Sequence, residues 1–353
     1  MHEFSPDQLH RFVVAVVAGL GSSGDEPHLV ADQLIRANLC GHDSHGIGML
    51  PTYVESAQAG RLTVNASPQT VIDNGPVLVL DGQAGFGQVM GYRSMEAGIE
   101  RAAQHGVALV GLRNSFHIGR IGHWGEQTTA AGMASLHFVN VAAHEPMVAP
   151  FGGASPRFGT NPVCIAIPSE DRGEPVALLD MATSTIALGK TRIAKNKGEP
   201  VPEGTLLDPA GRLTTDPNVM WGDGPRGALV AMGDHKGSGL ALMCEILGAA
   251  LLGGMTIEPR YARTGAIINS MLSIIIDPVA VGDPSDLARD ASGFFEYVRA
   301  SALREGSDEV LIPGEPEARA RALRNDAIPV DDNTVAELNS AAAAVGTDPL
   351  SSP

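Results

Sequence analysis

Between residues 77 and 276 the chain alternates short β-branched runs with amphipathic stretches, and this alternation limits its fold more than any other feature. Residues 77–80, 107–112, 134–141, 163–167, 176–179, 228–232 and 272–276 read as strands. Residues 88–105, 122–131 and 238–252 read as helices between them, and the Ala, Leu and Gly content of the last predicts a buried helix. Strands separated by helices build a covered sheet, so this part is an α/β domain. The flanks differ. Leu9, Phe12, Val13, Val16 and Val17, and then Leu29, Ala31, Leu34, Ile35 and Leu39, follow helical spacing. The tail returns to helices at 285–304, 315–324 and 332–344, with a frayed end over 341–353. Asn74-Gly75-Pro76 marks a boundary. The expected division is a helical subdomain made by both termini, 1–74 with about 283–353, and an α/β domain over 75–282.

Charge and cysteine usage narrow the function. The 24 Lys and Arg against 40 Asp and Glu leave a formal charge of −16, which argues against nucleic acid as a partner. Cys40, Cys164 and Cys244 form no CxxC pair, so no thiol redox motif or cysteine-based zinc site is encoded, and three free thiols suit a reducing cytoplasm. The apolar run 12–20 superficially resembles a secretory signal, but Glu3 and Asp7 precede it. Ser5-Pro6-Asp7-Gln8 is instead a helix start. No apolar run reaches the ~18 residues that cross a membrane. Gly19, Gly21 and Gly24 match the GxGxxG spacing with Asp43 downstream, yet the preceding segment has helical periodicity. These glycines therefore read as the end of a helix.

Several polar, glycine-bearing turns lie at element ends. His42-Asp43-Ser44-His45-Gly46 follows the helical stretch 26–39 and concentrates two imidazoles, a carboxylate and a hydroxyl. Histidine titrates near neutral pH, so such a cluster suits proton transfer as well as simple helix termination. Asn114 to Gly122 leaves the strand ending near Leu112, where the glycines admit an anion close to the backbone. Phe158-Gly159-Thr160-Asn161-Pro162 is a turn that can place Thr160 and Asn161 on a ligand. Residues 178–184 end a strand in Asp180, a carboxylate suited to orienting a histidine or capping a helix. Gly189-Lys190-Thr191-Arg192 supplies two cations but lacks the upstream glycine of a P-loop, which excludes an NTPase. His235-Lys236-Gly237 opens the long helix. A rival metal site pairs His42 with His45, three residues apart, completed by His117 or His123 as in a zinc hydrolase.

Taken in order, residues 37–49, 114–122, 158–162, 180–184, 189–192, 200–204 and 235–237 resemble the malate/L-lactate dehydrogenase family, whose fold is unrelated to the Rossmann dehydrogenases. Within that family the chain is similar to members of the hydroxycarboxylate dehydrogenase B type. The resemblance implies a mixed-sheet α/β domain for cofactor and substrate, a helical subdomain from both termini, and a homodimer. It implies NAD- or NADP-dependent interconversion of small 2-oxo and 2-hydroxy acids, without a bound metal. By that analogy His45 is the acid/base residue, supported by Ser44 and Asp180, with His117 as the competing candidate. His45, His117, Gly119, Arg120, Ile121, Thr160, Asn161, Leu178, Leu179, Asp180, Met181, Ala182, His235, Lys236 and Asn269 match cofactor-lining regions, and Pro313-Gly314-Glu315 adjoin them. Many relatives carry an arginine four residues after the motif histidine. This chain has Met49, leaving Arg120 or Arg192 to hold a substrate carboxylate and favouring, with Phe116, a more apolar substrate. Imine reduction and ureidoglycolate oxidation are the alternatives within the family.

Overall fold

The computed structural model describes residues 2–170, 175–222 and 224–351. The chain enters through strand β1 (His2–Phe4) and helices α1 (Pro6–Gly19), α2 (Glu26–Leu39) and α3 (Leu50–Gln58). Ser5 caps α1 as its sequence predicts, accepting from the Gln8 N–H. Gly21 and Gly24, both at positive φ, turn the chain from α1 into α2, so the GxGxxG spacing is a helix-to-helix connection.

Next come β2 (Gln69–Asn74), β3 (Val77–Asp81), α4 (Gly87–His105), β4 (Val107–Phe116), α5 (Gly122–Ala130), β5 (Ala134–Ala142), β6 (Val163–Ile167) and β7 (Ala177–Met181). A smaller excursion holds α6 (Leu188–Lys197), β8 (Leu206–Leu207), β9 (Leu213–Thr214) and β10 (Ala228–Leu229). The chain finishes with α7 (His235–Gly248), β11 (Ile268–Ile276), α8 (Pro278–Val281), α9 (Pro284–Arg299), α10 (Glu315–Arg324), β12 (Ile328–Val330) and α11 (Asp332–Ala344).

The main sheet has seven strands in the order β2-β3-β4-β11-β5-β6-β7. Among the described residues only β3 and β4 run parallel; the other neighbours are antiparallel, so the sheet is mixed, as expected. A parallel doubly wound sheet, which the Rossmann fold requires, is a different object. Helices α4 and α5 cover one face closely. A Cβ on Gly98 of α4 would lie 2.6 Å from Ile275 and 2.7 Å from Val110, and one on Gly125 of α5 would lie 2.8 Å from Ala166. Leu252, just past α7, covers the other face beside Val79 and Leu272. One apolar cluster runs from the N-terminal helices (Leu9, Val13, Leu34) through the sheet (Leu80, Ile275) to Leu338 of α11. β1 pairs with β12, which joins the two ends of the chain.

The structure departs from the sequence pattern at several points. Asn74-Gly75-Pro76, expected to be a boundary, is the hairpin turn between β2 and β3, with Gly75 at positive φ. β2 has no sequence signature because all six of its residues are exposed and neither face alternates. β4 continues to Phe116, so Asn114 to Phe116 lie on the strand rather than beyond it. The strand expected at 228–232 is only Ala228–Leu229. The long helix starts at His235 and stops at Gly248, and it is not buried all round: Leu242, Met243 and Ile246 are exposed. The end is not frayed through 351: Leu350 is buried, its N–H donates to Asn339, and Ser351 accepts from Gln8.

Candidate active site

Helix α2 runs out at Leu39, and Gly41 at positive φ sends the chain into two short 3-10 turns, Asp43–His45 and Ile47–Met49. Asn38 holds them together. Its Oδ1 accepts from the Ile47 N–H at 2.8 Å and its Nδ2 donates to Asp43 Oδ1 at 2.7 Å. The turn fits over Asn38 because residue 46 has no side chain: a Cβ there would lie 2.1 Å from Asn38 Oδ1. From the far end of the chain, α10 clamps the same turn. Arg324 donates to both Asp43 oxygens (2.7 and 3.2 Å) and to the Asn38 carbonyl (2.7 Å), and Glu317 meets His42 Nε2 at 3.1 Å.

The turn presents His45 to His117, the first residue past β4. His45 Nδ1 and His117 Nε2 are 3.2 Å apart. The rings lie within 9° of parallel with centroids 5.3 Å apart, too far for face-to-face contact and consistent with an edge-on N–H···N bond. His117 Nδ1 lies 2.7 Å from the Tyr53 hydroxyl of α3, and Gln88, in the first turn of α4, donates Nε2–H to that hydroxyl at 2.6 Å. Burial pushes His45 down to about 4, against the pull of the Asp180 carboxylate, and pushes His117 down to about 3, with His45 adding to the effect. Burial pushes the Tyr53 hydroxyl upward.

A charged cluster adjoins the pair. Arg120 is 2% exposed; its Nη1 donates to Glu126 at 2.9 Å and its Nε lies 3.4 Å from Asp180 Oδ2. Asp180 also accepts from the Gly122 N–H at 2.8 Å. Arg36 and Arg321 share Glu126, at 3.0 and 3.4 Å. Burial alone would raise the Glu126 carboxyl, but Arg120 and Arg36 hold it down to about 2. Asp180 acts on His45 through its charge; no hydrogen bond joins them. Arg120, expected to grip a substrate, is turned inward and committed to two carboxylates. Arg120→Ala is expected to cost about 3 kcal/mol in urea unfolding, because it leaves buried carboxylates uncompensated. An unchanged midpoint would show that Arg36 and Arg321 suffice.

His45, His117, His123 and His137 all have folded-state values pushed down by burial, to about 4, 3, 4 and 3. An unfolded histidine protonates near 6.5. The unfolded chain therefore binds more protons below that pH. The stability these groups preserve is complete above about 6.5 and is lost progressively as pH falls towards about 3. Urea midpoints at pH 7.5, 5.5 and 4.5 are expected to fall in that order.

The other expected site residues are either packed inside the protein or accessible. Leu178 to Ala182 lie on and just past β7; the Leu178 N–H donates to the Pro313 carbonyl, which places Pro313 and Gly314 against this strand. Gly119, at positive φ, approaches Gln33 so closely that a Cβ would lie 2.1 Å from its Oε1, and Ile121 is buried beside it in sequence. Asn269 and Asn161 are buried and engaged within the protein. Asn269 accepts from the Ile118 N–H and donates to the Asn140 carbonyl, while Asn161 donates to Ala241 and Glu245. Thr160 receives the Thr183 N–H and hydroxyl through its carbonyl. Three regions stay accessible. Ser44 is exposed and abuts α6, where a Cβ on Gly189 would lie 3.0 Å from Ser44 Cβ. Lys190 and Arg192 are exposed on α6, and His235 and Lys236 on the first turn of α7. Neither helix has an acidic residue in its first turn or a side-chain cap. Met49 is half-buried at the start of α3.

The zinc arrangement does not form: His42 turns to Glu317 and His45 to His117, and among the described residues no three His, Cys, Asp or Glu side chains converge as ligands.

Comparison with known proteins decides the family. Residues 4–339 match the model described as malate/L-lactate dehydrogenase. The chain belongs to the malate/L-lactate dehydrogenase family. As a member of this family it is a dehydrogenase. It is 48% identical over 348 residues to hydroxycarboxylate dehydrogenase B of Escherichia coli (strain K12), covering 98% of this chain and 95% of that one. Its structure resembles the sulfolactate dehydrogenase of Methanocaldococcus jannaschii with a TM-score of 0.86 at 31% identity, covering 98% of each chain. It also resembles the Δ1-piperideine-2-carboxylate reductase of Pseudomonas syringae pv. tomato (TM-score 0.80, 27% identity, 97% of this chain and 100% of that one). Within this malate/L-lactate dehydrogenase fold, Tyr53, Gln88 and Glu126 adjoin the candidate site without having been singled out in the sequence, and Asn38 stood there only as part of the 37–49 segment. A single polar residue on a helix has no spacing of its own that marks it as part of a site, so no pattern announces it.

Proposed function

We propose that the protein interconverts 2-oxo and 2-hydroxy acids with NAD or NADP, His45 exchanging the proton. The observation that carries this reading is His45 itself: Nδ1 is bonded to His117, leaving Nε2 as the ring nitrogen available to a substrate oxygen. Reducing a 2-oxo acid adds a hydride to carbon and a proton to oxygen. The nicotinamide would supply the hydride when bound, and in this reading His45 supplies the proton, or takes it in the reverse direction. His117 has both nitrogens occupied by His45 and Tyr53, which favours a supporting role. Asp180, fixed by Arg120 and the Gly122 N–H, supplies a negative charge that partly offsets the effect of burial on His45.

The anionic partners fit the accessible groups. In a chain of net charge −16, Lys190, Arg192, His235 and Lys236 gather at the uncapped starts of α6 and α7. Cofactor phosphates and a substrate carboxylate are both suited to such positions. Arg192 lies three residues after Gly189, on the α6 face that abuts Ser44, and is a better placed carboxylate partner than the inward Arg120. The segments 117–121 and 178–182 would flank the nicotinamide, with Asn269, Asn161 and Thr160 holding the backbone around it.

The three cysteines are free and buried, in keeping with a cytoplasmic protein, and no helix among the described residues is long and apolar enough to cross a membrane. A homodimer is supported by α9, a 16-residue amphipathic helix with no buried residue, whose Phe294 and Tyr297 are exposed, and by the exposed apolar side of α7. Light scattering is expected to return twice the 36.6 kDa chain mass.

The deciding experiment follows NADH and NADPH oxidation with pyruvate, oxaloacetate, 2-oxoglutarate, phenylpyruvate, 4-hydroxyphenylpyruvate and sulfopyruvate. Turnover is expected, with the larger apolar acids ranked high if Met49 lines the pocket. Activity confined to cyclic 2-imino acids or ureidoglycolate would move the protein to those reactions, and failure to bind either cofactor would end the dehydrogenase reading.

A further inference from the structure

The hydrogen bonds behind His45 form a single file: Gln88, Tyr53, His117, His45. Each link has one proton, so fixing one link fixes them all. Gln88 donates Nε2–H to the Tyr53 oxygen. The Tyr53 hydroxyl, buried with Gln88 and His117 as its two polar neighbours, then directs its own proton at His117 Nδ1, since leaving it unpaired would cost a full desolvation penalty. A neutral imidazole that accepts at Nδ1 carries its proton on Nε2. His117 therefore donates Nε2–H to His45 Nδ1, and His45 in turn carries its proton on Nε2.

We propose that Gln88 and Tyr53 act as positioning residues that set the tautomer of both histidines, so that a neutral His45 presents Nε2–H to the substrate oxygen. This rests on the reading of His45 given above. It makes His45 a hydrogen-bond donor to the carbonyl before any charge develops, which is how a neutral imidazole can polarise a ketone. As the new alkoxide takes the Nε2 proton, His45 Nδ1 takes the proton of His117 Nε2 and His117 Nδ1 takes that of Tyr53, which is reprotonated before the next turnover; oxidation of the alcohol runs the same shifts backwards. The same arrangement gives the Gln88 amide a directing role. Gln88 Oε1 has no hydrogen-bond partner, so the sense of the amide rests on its Nε2–H bond to Tyr53. Turned over, the amide would accept from Tyr53, every bond in the file would reverse, and His45 would face the substrate with a bare nitrogen. The same inversion is available chemically. A carboxylate at position 88 can only accept, whereas a protonated carboxyl can donate as the amide does. Residue 88 sits in the first turn of α4, where the helix favours a negative charge. Its neighbours in the file do not titrate in the window that matters: burial raises Tyr53 and lowers His117 to about 3. The charged groups acting on His45 are Asp180, His42 and Arg120.

The test is a long-range proton–nitrogen correlation spectrum of full-length enzyme labelled with 15N-histidine, with the two signals assigned from His45→Gln and His117→Gln. At pH 7.5 both rings are expected as Nε2–H tautomers. In Gln88→Glu at pH 10, above the ~8–9 recorded for buried glutamates, both are expected as Nδ1–H. Lowering the pH is expected to restore the original tautomers and, with them, turnover reduced about 10–100-fold at high pH, within the range general acid–base groups contribute. Damage to packing alone would not reverse with pH. An Nδ1–H tautomer at His45 in the unmodified enzyme overturns the proposal, and so does a Gln88→Glu spectrum unchanged from pH 6 to 10. The spectrum reads the tautomers without substrate, so it can fail while the 2-oxo acid assay succeeds, or hold while that assay fails.

Discussion

Replacing His45 with alanine is expected to lower kcat by about 10²–10⁴-fold, the usual contribution of a general acid–base group, with little change in far-ultraviolet circular dichroism. The side chain is half-buried and its hydrogen bond is the one to His117, so its removal takes away the proposed proton donor without opening the core. His117→Ala is expected to lose less. His117 touches His45 and Tyr53 rather than offering a nitrogen of its own, so its removal loosens His45 but leaves it in place. Turnover assays of the two variants, with cofactor binding measured separately, check this ordering. Near-normal kcat in His45→Ala beside a dead His117→Ala would transfer the proton step to His117.

The second large effect is expected from Gly87→Ala. Residue 87 opens α4, where alanine is favoured over glycine by about 1 kcal/mol on helix propensity. Its surroundings overrule that preference. A Cβ would lie 2.2 Å from the His117 carbonyl oxygen and 2.4 Å from both the His117 carbonyl carbon and the Phe116 oxygen. These are backbone atoms at the end of a central strand and cannot rotate aside. Either α4 or the 116–117 peptide must move, and overpacking of this kind costs about 1–3 kcal/mol or more. Gln88, the next residue, anchors the hydrogen bonds to His117, so the shift also strikes the site. Urea unfolding should show the loss of stability, and kcat should fall with it. A midpoint equal to that of the unmodified enzyme would mean that the contact relaxes at no cost.

These two residues also show what a single sequence can and cannot reveal. His45 was legible because two histidines, a carboxylate and a glycine in five residues stand out after a helical stretch. The helices at both ends were legible for a related reason: α10 and α11 fall where their periodicity puts them. Gly87 was not legible, since a glycine at a helix start looks permissive until the strand end beneath it is known. Nor was the placement of Arg120. Its position beyond β4 suggested a ligand, but whether a guanidinium points outward or into Glu126 and Asp180 is decided by α5 and β7, which are remote in the chain. Tyr53 and Gln88 occupy core positions that an apolar residue could equally fill. β2 was invisible because an edge strand exposed on both faces carries no alternation. Local chemistry shows where a site is; the partners that orient it come from tertiary contacts.

The clamp of α10 on the His42 to Gly46 turn bears on how the protein is made. Chains emerge from the ribosome N-terminus first. Asp43 is among the first fifty residues to appear, yet it waits 281 positions for Arg324, and His42 waits 275 for Glu317. Nascent chains and prematurely ended products would therefore carry His45 on an unbraced turn. The turn that carries the proposed proton donor is fully braced only once nearly the whole polypeptide has been synthesised, by which time the strands of the surrounding sheet have also been made.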